Sequence, residues 1–547
     1  MSRDRDRAFF GHPIGLMTLF FTEMFERFSY YGMRAFLGFY LTAPKDMGGV
    51  GMLDAAGGAV VGMFGASVYL LSLPGGWIAD RFLGQRKAVT IGGIGIALGN
   101  ALLAVPGAMS EQLLYPGLIL IALGTGFLKP NISTIVGQLY GENDARRDAG
   151  YTIYYMGINI GATAAPFICG WLAGEGLQTE TFRLWLAGHD IDPNHCWHFA
   201  FGAAAIGMVG GLIQYTLGQR LLGKAGVEPT IPTDPAKAQR DRNVLISIGV
   251  ALLVIAALVV LLEPSQKLFG DIMGIGLVLG SGALFYGLYA NARDSGERRR
   301  ILAMIPLYLG AIGFFGIFEQ APTTLNFYAR DLVEREFLGI NIPASFYQSV
   351  NGFFIVALAP VFAYLWLRLA RRGKEPTSVN KFGIGMVVLA LSFVVMIPTF
   401  PHLIDKLVGI GDTPAAPQRV SGGYLMGLYF FYTCAELCIS PVGLSSMSKL
   451  APQRLGGMVM GTWFLGTSIG VYLAGRATSI SEANGYRFLF IFLIIASLVM
   501  AAALFAVAPM IKRMLGADAR AHGPADKSEK AEPEPLPGAR LPKDDKP

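Results

Sequence analysis

The stretch 22–36 reads TEMFERFSYYGMRAF, and it lies inside the first long apolar segment of the chain. Two glutamates and two arginines stand in it. On a helix turning about 100° per residue, Arg34 falls about 20° from Glu23, Tyr30 about −20°, Arg27 about 40°, Glu26 about −60° and Tyr31 about 80°. These six share one arc about 140° wide, while Phe25, Phe28, Gly32 and Phe36 take the opposite face. A charge at the centre of a bilayer costs at least about 2.5 kcal/mol, so such a stripe must face partners or a water-filled cavity. Glu23 and Arg27, spaced i, i+4, already supply a pair, and the plain reading is a self-neutralised patch that holds helices together. The chemical reading is a path for protons and substrate. Burial makes a glutamate harder to ionise and a neighbouring arginine makes it easier, so a carboxylate placed between the two can take and release a proton.

Other polar groups interrupt the apolar segments. Lys129 sits in LGTGFLKPNISTIVGQLY (123–140), followed by Pro130, which breaks the hydrogen-bond ladder and opens backbone to a cavity. Snorkelling to an interface is the alternative, with roughly two turns to cover. Glu319 sits in GFFGIFEQAPTTLNFY (313–328) and Glu436 in FFYTCAELCISPVGLSSMSKLAP (430–452). Each is a buried hydrogen-bonded structural glutamate or a functional one, and rarity in spans favours function. Asn159, in YTIYYMGINIGATAAP (151–166), and Asn351, in YQSVNGFFIVALAP (347–360), serve interhelical adhesion equally well. Tyr69, Tyr155 and Trp463 fit pocket walls or ordinary packing. Three cations (Arg27, Arg34, Lys129) set against the carboxylates Glu319 and Glu436 give a site with two poles. That suits a zwitterion such as a peptide or an amino acid better than a sugar or a hydrophobic cation.

These residues need a membrane scaffold to hold them. Among 547 residues 53% are hydrophobic and only 15% charged, against about 25% charged in a soluble domain, and the mean hydropathy is +0.48. The 70 glycines lie within apolar runs, where small residues let membrane helices approach closely. Spans of roughly 20 residues are expected at about 14–41, 55–79, 87–107, 112–139, 150–173 and 197–219, then 243–262 and 270–291. Six more follow at about 302–328, 346–369, 381–400, 421–442, 455–477 and 486–511. No cleavable secretory signal is read at MSRDRDRAFFGHP. Cys169, Cys434 and Cys438 fall in apolar segments and Cys196 near a polar loop, with no disulfide or metal spacing. The net charge of +6 fits basic cytoplasmic loops and anionic lipid headgroups, with no nucleic-acid partner expected.

Alternate loops differ in charge. One set carries Arg3, Arg5, Arg7, Arg81, Arg86, Lys87, Arg146, Arg147, the basic groups of 220–242 and 293–300, Arg368, Arg371, Arg372, Lys374, Lys381, Lys449 and Arg454. The other carries the sparser Lys45, Arg183, Lys267, Arg330, Arg335, Lys406, Arg419, Arg476 and Arg487. The excess of Lys and Arg assigns the first set, and both termini, to the cytoplasm. The expected layout is an N-terminal segment 1–13, a six-helix bundle 14–219, linkers and an extra helix pair 220–300, a second six-helix bundle 301–514 and a disordered cytoplasmic tail 515–547. GGWIADRFLGQRKAV (75–89) and LWLRLARRGKEP (365–376) occupy corresponding places in the two halves, as a repeat of six-helix units predicts. The extra pair carries only Glu263, Lys267 and Asp271 at its outer turn, so a peripheral, lipid-facing position is expected.

EMFERFSYYG (23–32) resembles the ExxER[FY]xYYG motif of the proton-dependent oligopeptide transporters. GTGFLKPNIS (124–133) and YTIYYMGINIG (151–161) resemble two further signature stretches of that family. FEQ (318–320) and AELCISPVGLSSMSKLAP (435–452) resemble its seventh- and tenth-helix patterns. GGWIADRFLGQRK (75–87) resembles the helix 2–3 loop of the wider major facilitator superfamily. The resemblance spans roughly residues 15–510, and the mid-chain helix pair is similar to the bacterial branch. It implies an all-α membrane protein of the major facilitator fold: two six-helix bundles plus two extra helices, 14 in all. It implies proton-coupled import of di- and tripeptides by alternating access. By resemblance Glu23 and Glu26, with Arg27 beside them, are the proton-coupling carboxylates. Arg27, Arg34 and Lys129 receive the peptide C-terminus, and Glu436, Asn159 and Asn351 the N-terminus. Glu319 pairs with Arg34 and parts from it on protonation. Tyr30, Tyr31, Tyr69, Tyr155 and Trp463 line the pocket. Phe315 and Gly352 depart from the family pattern, where Trp and Pro are usual, and bear on side-chain preference.

Other function classes fit less well. GTGFLKP lacks the GxxxxGK[ST] spacing, so nucleotide driving is not expected. Nitrate, as a monovalent anion, has no use for an ammonium pole, whereas an amino acid remains an alternative substrate. A membrane enzyme is disfavoured because His12, His189, His195, His198, His402 and His522 lie in loops, at ends or in the tail, with no nucleophile–base pair. A channel has no need of paired titratable charges. No cofactor beyond the coupling proton, a bacterial inner-membrane location and a monomer are expected.

Overall fold

The computed structural model describes residues 6, 8–107, 109–141, 144, 146–174, 177–229, 234–262, 266–337, 340–400, 419–450 and 455–521. The expectations for Glu263, Lys406, Arg454 and most of the C-terminal tail lie outside them. The described residues are overwhelmingly helical. The first bundle is built from α1 (Gly15–Thr42), α2 (Asp54–Ile78), α3 (Gln85–Leu103), α4 (Ser110–Gln138), α5 (Arg147–Leu172) and, after a short α6 (Leu177–Ala187), α7 (Cys196–Gly218). Then come α8 (Pro235–Leu262) and α9 (Gln266–Ala290). The second bundle holds α10 (Ser295–Phe318), α11 (Thr324–Leu332), α12 (Tyr347–Arg371), α13 (Ser378–Val394), α14 (Gly423–Leu450) and α15 (Gly456–Ala521).

Most boundaries fall within a few residues of those expected, though α8 begins eight residues and α10 seven residues before the expected starts, and three further differences follow. The span expected at 302–328 is two helices. Pro322 has no N–H to donate, α10 stops at Phe318, and the Gln320 side chain bridges the gap by bonding Gly316 O at 3.0 Å and accepting from Thr324 Oγ1 at 2.7 Å. Glu319 therefore sits at a helix break, not in a continuous helix. α14 runs eight residues past the expected end at 442. α15 (456–521) is two helical segments meeting at Gly485, whose φ of 81° belongs to the left-handed region, in keeping with the two spans expected at 455–477 and 486–511; the difference is that the second segment continues to Ala521 where a tail was expected from 515. Short α6, rich in aromatic residues, was not foreseen; it is too short to span a membrane.

Among the described residues, eight helical runs are long and apolar enough on composition alone to cross a membrane, and the run Met458–Arg513, turning at Gly485, is long enough for two crossings. Charges keep α1 off that tally, but its packing sets it within the first bundle, against α5, α7 and α2. The two bundles meet along α2 with α15 and along α5 with α12. The α2 contact is backbone-close: a Cβ on Gly62 would lie 2.6 Å from the Cα of Gly475. Toward the α1–α2 loop it is tied by Arg330 to Asp54 at 2.8 Å and by Ala55 N to Glu482 at 2.6 Å.

The extra pair is peripheral on one side only. Leu268, Ile272, Ile275, Val278, Leu279 and Tyr286 of α9 are exposed. Its other face touches both bundles. Ser67 of α2 reaches Met273 Sδ at 4.0 Å, Tyr472 OH of α15 donates to Gly270 O at 2.9 Å, and Arg476 pairs with Asp271 at 2.9 Å. At the opposite end, Arg81 after α2 lies 3.6 Å from Asp241 of α8. The chain start folds onto the α4–α5 corner, where Arg146 bonds Asp6 at 3.0 Å and Asp144 at 2.8 Å. The Arg146 side-chain and backbone donors hold the Asp144 carboxyl down at about 2, so this contact stays charged through the ordinary pH range.

Candidate proton and substrate site

The stripe read from the sequence forms as one buried face of α1. Glu23, Glu26, Arg27, Tyr30 and Arg34 are all buried, and Tyr31 is partly so. Arg27 Nε lies 3.3 Å from Glu23 Oε1 and is also paired with Glu26, so one guanidinium serves two carboxylates. Its Cζ stands 5.2 Å from the Tyr30 ring and 5.9 Å from that of Tyr31, within cation–π range. Two helix turns on, Arg34 pairs with Glu319 of the second bundle, and its Cζ stands 5.8 Å from the centre of the Tyr30 ring. Lys129 Nζ lies 3.9 Å over the Tyr69 ring, bringing α4 to α2. Lys129 also lies within electrostatic reach of Arg27, Glu26, Glu23 and Glu319.

A second group gathers on α12, α14 and α5. Asn351 Nδ2 donates to Glu436 Oε2 and to Thr433 Oγ1, both at 3.1 Å. Tyr155 lies within electrostatic reach of Glu436 and is 42% exposed, the most open of the residues singled out. Asn159 donates to the Tyr155 carbonyl at 2.9 Å, on its own helix. Trp463 packs edge-on to Phe315 at 6.0 Å, so the Phe at the departure from the family pattern shares a wall with it.

The sequence-level two-pole picture needs one correction. The residues alone set Glu319 with Glu436 on the anionic side; the fold puts it in the cationic group, on Arg34, the pairing that the family resemblance implied. The helix break at Gln320–Thr323 turns its carboxylate back toward α1. Glu436 with Asn351 is left as the second pole. Tyr154 was missed: its hydroxyl donates to Glu23 Oε2 at 2.7 Å. The signal lay in YTIYYMGINIG, where Tyr154, Gly157 and Gly161 recur at i, i+3 and i+7. The two glycines lie against the Phe20 and Met24 carbonyls, which marks this stripe as the face of α5 that packs on α1. Among the described residues no His, Cys, Asp and Glu cluster could hold a metal ion.

A two-bundle membrane fold with a charged seam of this kind is that of a secondary transporter. The POT family model matches residues 86–487. The peptide transporter YePEPT of Yersinia enterocolitica is 37% identical over 478 residues, 86% of this chain and 88% of its own. The di-/tripeptide transporter of Lactococcus lactis subsp. lactis is 36% identical over 489 residues, 87% of this chain and 91% of its own. A solved peptide transporter POT, in complex with alafosfalin, superposes with a TM-score of 0.80 at 36% identity, covering 93% of this chain and 97% of that one. The chain belongs to the POT family, within the major facilitator fold.

Proposed function

We propose that the chain is a proton-coupled symporter that imports di- and tripeptides by alternating access, acts as a carrier and not as an enzyme, and works as a monomer without a cofactor. Its relatives named for peptide and di-/tripeptide transport support the substrate class. The observation that carries the mechanism is the buried Arg34–Glu319 pair, which joins the two bundles beside the Glu23–Glu26–Arg27 cluster. A buried pair that loses one charge leaves the other uncompensated, at a cost of about 3–5 kcal/mol. Protonation of a carboxylate in this seam therefore shifts the balance between two packings of the bundles.

In this reading Glu23, Glu26 and Glu319 exchange the driving proton, with Arg27 dividing its charge between the first two. Arg27, Arg34 and Lys129 receive the peptide carboxylate. Arg27 Nη2, Tyr30 OH and Arg34 Nε are buried with no protein partner among the described residues, so they are donors available to a ligand. Glu436, Asn351 and Asn159 receive the peptide ammonium, and Tyr30, Tyr31, Tyr69, Tyr155 and Trp463 form the walls. The lysine- and arginine-rich loops put both termini on the cytoplasmic side of a bacterial inner membrane, which makes the Asp54–Arg330 end the outer one. A pH-sensitive dye sealed inside proteoliposomes tests the reading. External di-alanine should acidify the lumen, while glucose should not; no acidification with di-alanine or tri-alanine contradicts it.

A further inference from the structure

The Tyr154 hydroxyl meets Glu23 Oε2 at 2.7 Å, with Tyr154 only 6% exposed and Glu23 only 2%. Arg27 lies on the other oxygen, Oε1. Tyr154 is thus the hydrogen-bond donor on one oxygen of Glu23 and Arg27 an ion-pair partner of the other, while Arg27 Nε donates to Glu26 Oε2 and Glu26 Oε1 has no protein partner among the described residues. The groups facing this carboxylate come from every element around it. α1 contributes Glu26 and Arg27, α4 contributes Lys129, and α5 contributes Tyr154. α2 reaches the cluster through Tyr69 on Lys129, and α7 presents the uncharged Gln214, which accepts from Thr22 at 3.0 Å.

We propose that Tyr154 is a positioning residue of the proton site, whose O–H holds the Glu23 carboxylate in place for its exchange of the driving proton. This rests on the proton-coupled reading above. A neutral phenol at this distance acts as a donor, and donation to a carboxylate favours its charged form over its protonated form. The bond also fixes the rotamer in which Glu23 faces Arg27. Tyr154 comes from α5, which packs on α12 of the other bundle.

The test is Tyr154→Phe, which keeps the ring and removes one O–H. Proton-driven di-alanine uptake is measured against external pH. Alongside it, the protonated-carboxyl infrared band that Glu23→Gln removes is titrated in the purified protein. Both midpoints should move up by about one pH unit in Tyr154→Phe. A fluorinated tyrosine at position 154, a stronger donor, should move the infrared midpoint down. Unchanged midpoints in an active Tyr154→Phe protein overturn the role of Tyr154, as does a band that Glu23→Gln leaves intact. Loss of gradient dependence in the native chain would instead overturn the proton-coupled reading itself.

Discussion

Arg27 stands between two carboxylates, Glu23 and Glu26, and in the proposed reading it serves both the proton and the peptide carboxylate. Glu23→Gln and Glu26→Gln should each abolish proton-driven uptake while peptide counterflow, which needs no net proton movement, falls far less. Equal loss of both would mark the pair as structural. Glu436→Gln acts at the other pole. A hydrogen bond to a charged group is worth about 1.5–3 kcal/mol, so KM for di-alanine should rise roughly ten- to hundredfold. Competition by N-acetylated di-alanine, which has no ammonium, should barely change. The stripe itself was legible in TEMFERFSYYGMRAF because helical phase needs only the sequence. The Glu319–Arg34 pairing was implied only by the family resemblance, since it depends on a break at Pro322 and on which bundle faces it, and neither follows from the neighbours of Glu319 in the chain. Tyr154 was hidden by its neighbour Tyr155, although its spacing with Gly157 and Gly161 marked the face of α5 that turns toward α1.

Helices translate those charges into motion, and magnitudes rank their contacts. Arg330 and Asp54 are each about a third exposed, a setting in which an ion pair contributes roughly 0–1 kcal/mol. Asp54→Asn should therefore change the balance of conformers by at most about fivefold. Gly62→Leu forces a side chain into the backbone of Gly475, and overpacking of that kind costs about 1–3 kcal/mol. Spin labels at Lys45 and Arg487 should then show a new longer-distance population, with a shift of roughly 5–150-fold. An unchanged distance distribution would mean that the α2–α15 contact does not open. Gly485 has open space around it, so Gly485→Ala tests the backbone alone. The left-handed φ should cost roughly 1 kcal/mol or more, read as a lower Tm in detergent. Most helix ends were legible because apolar runs must match the bilayer. The break after Phe318 was not, because the apolar run that ends there was carried across EQAPTT to Tyr328 despite Pro322, whereas the turn at Gly485 was legible as the gap between the spans expected at 455–477 and 486–511.

Across the whole molecule, two bundles, a charged seam and a one-sided extra pair make a carrier whose halves can rock about a fixed site. The pair adds a constraint that composition hid. Its lipid-facing side was legible from apolar residues, but its other face touches α2 and α15 at the bundle junction. In the proposed reading the seam couples a proton gradient to peptide movement. The direct measurement is uptake of labelled di-alanine, and of a tripeptide, by proteoliposomes with and without an inward proton gradient. Accumulation above equilibrium that appears only with the gradient is the predicted result; uptake indifferent to the gradient, or none for either peptide, would contradict it.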